Sequence, residues 1–164
     1  MSYKVLFITI VPAPYQRDLF GALARRRDID LTVCYIEAAS PDSPWPKKTL
    51  RPFERIIPGF WIPFGSARAH VNWALPKACE RDIVVLSTFT SLTGQLLMRR
   101  LRNKRWLFWG ERLHRNTGLK ETIQRALTAP ISRASGVVGV GRAGTACRQE
   151  REMGPGGRVS RGMN

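Results

Sequence analysis

Metal-ligating and acidic side chains are scarce in this chain. There are two histidines, three cysteines and 12 acidic residues among 164 positions. The cysteines, Cys34, Cys79 and Cys147, are scattered and odd in number, with no C-x-x-C and no Cys/His zinc spacing. That argues against a zinc ribbon or a disulfide framework and predicts buried, reduced thiols in a reducing compartment. No apolar run approaches the roughly 18 residues that a membrane helix needs. The short apolar run at the N-terminus reads as a first strand, not a signal peptide. A Walker-type G-x-x-x-x-G-K-[ST] is missing, and so is the G-x-S-x-G elbow of serine hydrolases. Together these gaps predict a cytoplasmic globular domain with no resident metal.

Positive charge is abundant. Lys and Arg number 27, for a formal net charge of +15. Such a surface attracts nucleic acid, phosphorylated ligands or anionic lipid. The densest basic run is RRLRNKR, at 99–105. The aromatics are not interleaved with bases, and no RRM, KH or helix-turn-helix signature occurs, so a nucleic-acid partner is not expected.

Short apolar runs organise the rest. KVLFITI (4–10), IDLTVCYI (29–36), DIVVLS (82–87), RWLFWG (105–110) and GVVGVG (136–141) read as strands covered on both faces. Helical patterns lie between them, at 15–27, 91–102, 119–134 and 142–153. In the first, Leu19, Phe20, Leu23 and Ala24 form the apolar stripe. Ser91 is placed to cap the second, and Pro130 to end or kink the third. A final short strand is expected at 158–161. The alternation predicts an α/β, Rossmann-like doubly wound parallel sheet, with residues 1–164 forming one domain. The segment 41–65 interrupts the rhythm with prolines and aromatics, and one short strand is expected near 53–57. His70 is expected to open a helix and to be structural or solvated.

Ligands of such sheets bind at the carboxyl ends of the strands. Four strand exits therefore hold the candidates. At the first, Pro14 starts a helix and puts Tyr15, Gln16 and Arg17 in its first turn, where anions are favoured. At the second, Ser87, Thr88 and Thr90 offer hydroxyls, some of which helix capping would use. At the third, Glu111, Arg112 and His114 follow LFWG within four positions. At the fourth, GVGRAG (139–144) has the G-x-G-x-x-G spacing, but on the last strong strand and not the first, so a dinucleotide site is not expected and close helix packing is.

The order and spacing of these motifs resemble the N-terminal domain of family 4-like glycosyltransferases of the GT-B fold. The resemblance rests on KVLFIT…PAPYQRDLFGALARR…IDLTVCYI, LFWGERLHR and SRASGVVGVGRAG…GRVSRGMN, and it spans the chain. It implies the acceptor-side half of a two-domain enzyme, here without the C-terminal donor domain that carries an E-x7-E motif. The reaction it implies is sugar transfer from a nucleotide sugar to a hydroxyl acceptor, in polysaccharide or glycolipid synthesis and without a bound cofactor. On this reading His114 or Glu111 would orient the acceptor or meet the transferred sugar. Arg17 and Arg112 would hold phosphate charge, with Tyr15 beside them in the ligand-facing turn, and Ser87, Thr88 and Thr90 would bond sugar hydroxyls. The glycine-rich first loop of many relatives is replaced by Pro12, Ala13 and Pro14, which weakens the case for donor phosphate there. The basic surface and the aromatic excursion point to peripheral contact with the inner face of an anionic membrane bearing a lipid-linked acceptor. The rival expectations are a non-catalytic binding or partner module, a truncated inactive fragment, and a polyanion binder driven by charge.

Overall fold

The computed structural model describes residues 1–39, 49–64, 67–74, 76–110 and 117–139. In chain order the elements are β1 (Tyr3–Thr9), α1 (Pro14–Ala24), β2 (Ile29–Tyr35), β3 (Glu54–Ile56), β4 (Gly59–Phe64), β5 (Ala67–Asn72), β6 (Ile83–Leu86), α2 (Leu92–Arg100), β7 (Trp106–Gly110), α3 (Leu119–Thr128) and β8 (Gly136–Gly139). Six strands form one sheet in the order β3-β2-β1-β6-β7-β8, and every neighbouring pair is parallel. With the β4–β5 hairpin set aside, the order is that of a Rossmann-like doubly wound fold, and the direction of winding reverses between β1 and β6.

The pleat sorts the core. Leu6 and Ile8 of β1, Val84 and Leu86 of β6, and Trp106 and Phe108 of β7 pack with Leu97, Met98 and Leu101 of the α2 segment. Val5 and Phe7 point the other way, to a second cluster with Phe20 of α1 and Leu31, Val33 and Tyr35 of β2. Successive residues of a strand face opposite sides, so runs such as VLFIT supply both layers at once. Truncating Phe20, which is fully buried, would cost about 3–5 kcal/mol.

Local chemistry sets the helix ends. Pro14 starts α1 with its φ already helical. Ser91 caps α2, its Oγ accepting the Gly94 N–H at 3.0 Å. Gly94 is needed there because a Cβ would lie 2.6 Å from the Thr88 carbonyl oxygen. α3 gives way to a 3-10 turn, Ala129–Arg133, where Pro130 can donate no backbone hydrogen bond.

Several expectations are corrected. The excursion holds not only β3 but also β4, which pairs antiparallel with β5 just beyond it, and His70 sits within β5, paired across from Trp61, not at a helix start. Proline and aromatic content obscured an alternation that the hairpin partner makes sense of. Leu19 is 42% exposed, because the α1 stripe is centred on Phe20. Cys34 is buried, but Cys79 is exposed on a short 3-10 turn, Ala78–Glu80. The expected helix at 142–153, the strand at 158–161, Cys147, Gly141 and Gly144 lie outside the described residues. Among the described residues no helix is long and apolar enough to cross a membrane.

Candidate functional site

The sheet's carboxyl edge opens into a crevice of about 330 Å³ at the point where the winding reverses. Thr9, Ile10 and Val11 line it from the exit of β1, and Ser87 and Phe89 from the exit of β6. Phe108, Trp109 and Gly110 come from the end of β7, and Ala13, Tyr15 and Gln16 from the start of α1. The strand order creates this space. β1 and β6 send their connections to opposite faces, so no connection covers the gap between them.

Rigid aromatic walls bound the crevice. Trp109 packs edge-on against Phe7 and Phe20, with ring centroids 5.9 and 6.2 Å away, and Phe7 and Phe20 are 5.0 Å apart. Phe89 and Phe108 meet edge to face at 6.3 Å on the other side. Edge-on packing of this kind fixes ring orientation as well as burying area. The polar groups are neutral. Thr9 Oγ1 donates to Gln16 Oε1 at 3.2 Å, and Ser87 Oγ donates to the Ile8 carbonyl at 3.4 Å. No carboxylate, imidazole or cation lines the crevice among the described residues.

The predicted site residues separate into three groups. Tyr15 and Ser87 line the crevice. Glu111, Arg112 and His114 lie outside the described residues; in the chain they directly follow Gly110, which lines the crevice. Arg17, Thr88 and Thr90 do not line it. Thr88 is buried, and its hydroxyl donates to Ser91 Oγ at 3.4 Å within the α2 cap. Thr90 is exposed.

Arg17 calls for a correction, because its side chain is 92% inaccessible and paired with Glu54. Nε and Nη2 donate to the two oxygens of Glu54 at 2.8 and 2.7 Å, and Nη2 also reaches the Thr49 carbonyl at 2.8 Å. Glu54 further accepts from the Tyr35 hydroxyl at 3.0 Å and from the Arg51 N–H at 2.8 Å. The Arg51 guanidinium returns to the Arg17 carbonyl at 2.6 Å. Successive helix residues point about 100° apart, so Gln16 faces the crevice while Arg17 faces β3. The hydrogen bonds that Arg17 donates to Glu54 raise its pKa further. Burial pushes the Glu54 carboxyl up, but the bonds from Arg17, the Arg51 amide and Tyr35 outweigh it and hold it below its ordinary value. Burial also pushes the Tyr35 hydroxyl well up. This network staples α1 to the edge strand β3 and holds the guanidinium on Glu54 and the Thr49 carbonyl, away from the crevice lining.

No protein-family model, curated protein or solved structure matches this chain. Among the described residues no three His, Cys, Asp or Glu side chains gather as metal ligands.

Sequence reasoning missed Thr9, Phe89 and Trp109 as crevice residues. Thr9 and Trp109 had a usable signal, since each lies at the carboxyl end of a strand. Phe89 lies within the strand exit that supplied Ser87, Thr88 and Thr90, and was passed over because only the hydroxyls there were weighed.

Proposed function

We propose that this domain is the acceptor-side half of a sugar-transfer site of GT-B type, working with a nucleotide-sugar donor. The observation that carries the reading is the crevice, uncharged and walled by aromatics at the winding reversal. The apolar face of a pyranose stacks on aromatic rings, and its hydroxyls bond neutral groups such as Thr9, Gln16 and Ser87. The +15 charge does not enter the described lining, so the crevice suits a neutral ring better than a phosphate.

In the reaction, the acceptor oxygen bonds to the anomeric carbon while the bond from that carbon to the nucleoside diphosphate breaks. The diphosphate leaves with the electron pair, and the acceptor hydroxyl gives up its proton to a base. The described lining supplies positioning. Proton transfer and contact with the transferred sugar fall to Glu111 or His114, and phosphate charge to Arg112. The resemblance to family 4-like glycosyltransferases and the Rossmann-like sheet support this assignment.

A binding or partner module is the second reading, favoured by the lack of any acid or base in the described lining. A screen of nucleotide sugars against the gene product, with His114→Ala alongside, separates the two. Transfer that falls at least about 100-fold in the variant supports the enzyme, since general acid–base groups contribute about 10²–10⁴-fold. Ligand binding with no turnover supports the module, and full turnover in the variant removes His114 from the chemistry.

A further inference from the structure

The topology brings together cations that lie far apart in the chain. Each helix of a βαβ unit runs back against its strands, so helix ends and strand starts share one edge of the sheet. This amino edge lies opposite the crevice. α1 runs into Arg25, Arg26 and Arg27, all three exposed. α2 ends on Arg99 and Arg100, and exposed Arg102 follows. Lys104 and Arg105, both exposed, lead into β7. Lys4 stands at the start of β1 and Arg133 in the turn before β8, again exposed. Backbone bonds tie these corners side by side. The Tyr3 N–H donates to the Asp28 carbonyl at 2.8 Å, the Asp82 N–H to the Lys4 carbonyl at 3.0 Å, and the Ser135 N–H to the Trp106 carbonyl at 2.8 Å.

Little negative charge offsets them. The acids of this edge are Asp28, Asp30, Glu80 and Asp82. Asp28 is paired with Arg26 at 2.8 Å and Glu80 with Lys77 at 3.3 Å, and Asp82 accepts the Lys4 N–H at 2.8 Å. Arg99 donates to Gln95. Arg25, Arg27, Arg100, Arg102, Lys104 and Arg105 have no ion pair among the described residues. Helix dipoles favour cations near the ends of α1 and α2. They do not account for Lys4, Lys104 or Arg105, because strand starts carry no comparable dipole.

Charge and apolar content together select the partner. Among the described residues, Met1 and Tyr3 are the only large exposed apolar side chains at this edge. A protein interface is built on an apolar core, and a bilayer contact on apolar groups that insert. Nucleic-acid interfaces are instead polar and strongly cationic. Guanidinium groups predominate here, and their forks match phosphate oxygens. The starts of β2, β1, β6, β7 and β8 lie about 4.8 Å apart, which makes the strip about 19 Å across. That spans about five nucleotides of one backbone, at about 3.4 Å each. Contacts to the backbone alone need none of the recognition motifs that the sequence lacks. We infer that the amino edge of the sheet binds the sugar–phosphate backbone of a nucleic acid without reading its sequence. The site does not depend on sugar transfer, since the crevice opens at the opposite edge.

The test is fluorescence anisotropy of a labelled, mixed-sequence single-stranded oligonucleotide titrated with the complete chain over a range of salt. The logarithm of the binding constant should fall linearly with the logarithm of salt. Lys104→Gln with Arg105→Gln should make that slope shallower by about 1.4, since each phosphate contact on a single strand contributes about 0.7. The loss should be the same on oligonucleotides of different sequence. Arg55→Gln with Lys120→Gln removes the same charge from exposed positions off this edge and should leave the slope unchanged. Far-UV circular dichroism and the thermal midpoint check that the variants fold. Arg25→Gln with Arg27→Gln makes the same test if the first pair does not. No binding by the native chain, an unchanged slope in the amino-edge variant, or an equal change in both pairs would each overturn the inference. Polyglutamate or phosphatidylglycerol vesicles that bind more tightly than the oligonucleotide, compared at equal anionic charge, would assign the edge to an acidic protein or a membrane and overturn it too. Oligonucleotide binding without sugar transfer refutes the functional reading alone. Sugar transfer without oligonucleotide binding refutes this inference alone.

Discussion

Replacing Arg17 with Met separates a structural role from a ligand-binding one. Met keeps the aliphatic length and removes both donors to Glu54 and the donor to the Thr49 carbonyl. The Glu54 side chain is fully inaccessible, so its charge cannot be recovered by water. Breaking a buried pair by removing one partner costs about 3–5 kcal/mol. Here Glu54 keeps the Tyr35 hydroxyl and the Arg51 amide, which puts the loss near the lower end, at about 3 kcal/mol. For a chain of this size that lowers the thermal midpoint by about 6–12 °C. Urea unfolding followed by fluorescence measures the loss. Affinity of the folded variant for any crevice ligand should be unchanged, since the guanidinium does not line the crevice. A loss under about 1 kcal/mol together with weakened ligand binding would refute the structural assignment.

Acid should act on the same network. Folded Glu54 holds its proton less tightly than unfolded Glu54. Its contribution is therefore complete above the unfolded pKa, about 4.3, and is lost as the pH falls through the lower folded value. In urea titrations across that range, Glu54→Gln should be less stable than the native chain at neutral pH, and the gap should narrow in acid; a constant gap would contradict the shift. Asn72→Leu should cost about 2–3 kcal/mol by leaving the Ile36 and Ile57 carbonyls and the Thr93 hydroxyl, which its side chain bonds, unpaired, with hydrogen exchange speeding up first in the hairpin. Gly59→Ala should have a similar effect, because the new Cβ overlaps the Asn72 amide nitrogen. In a Cys147→Ser background, Cys79 should react with Ellman's reagent at once and Cys34 only on unfolding, since Cys34 is buried with a raised pKa; equal rates would contradict the packing.

The sheet was legible because it is written locally. VLFIT, LTVCY and IVVL are apolar at consecutive positions, and that pattern has one economical solution, a parallel strand covered on both faces. Ser91 and Pro130 act within a turn of their own positions, so their effects could be read in place. The hairpin was not legible. Its alternation emerges only when Phe60 is set opposite Val71 and Trp61 opposite His70, a pairing that spacing in the sequence does not specify. Arg17 was misread for a similar reason. A first-turn arginine at a strand exit suits an anion, but Glu54, 37 residues further on, takes it. Tyr15 and Ser87 were placed at the crevice because topology alone assigns strand exits to it.

The central claim is that the crevice between the exits of β1 and β6 accepts a neutral sugar ring. Saturation-transfer NMR with methyl pyranosides tests it most directly, comparing the native chain with Ser87→Leu, which fills the crevice from the β6 side. The account predicts saturation passing from protein aromatic protons to the sugar ring protons, and its loss in Ser87→Leu. Absence of transfer in the native chain, or equal transfer in both proteins, would contradict it.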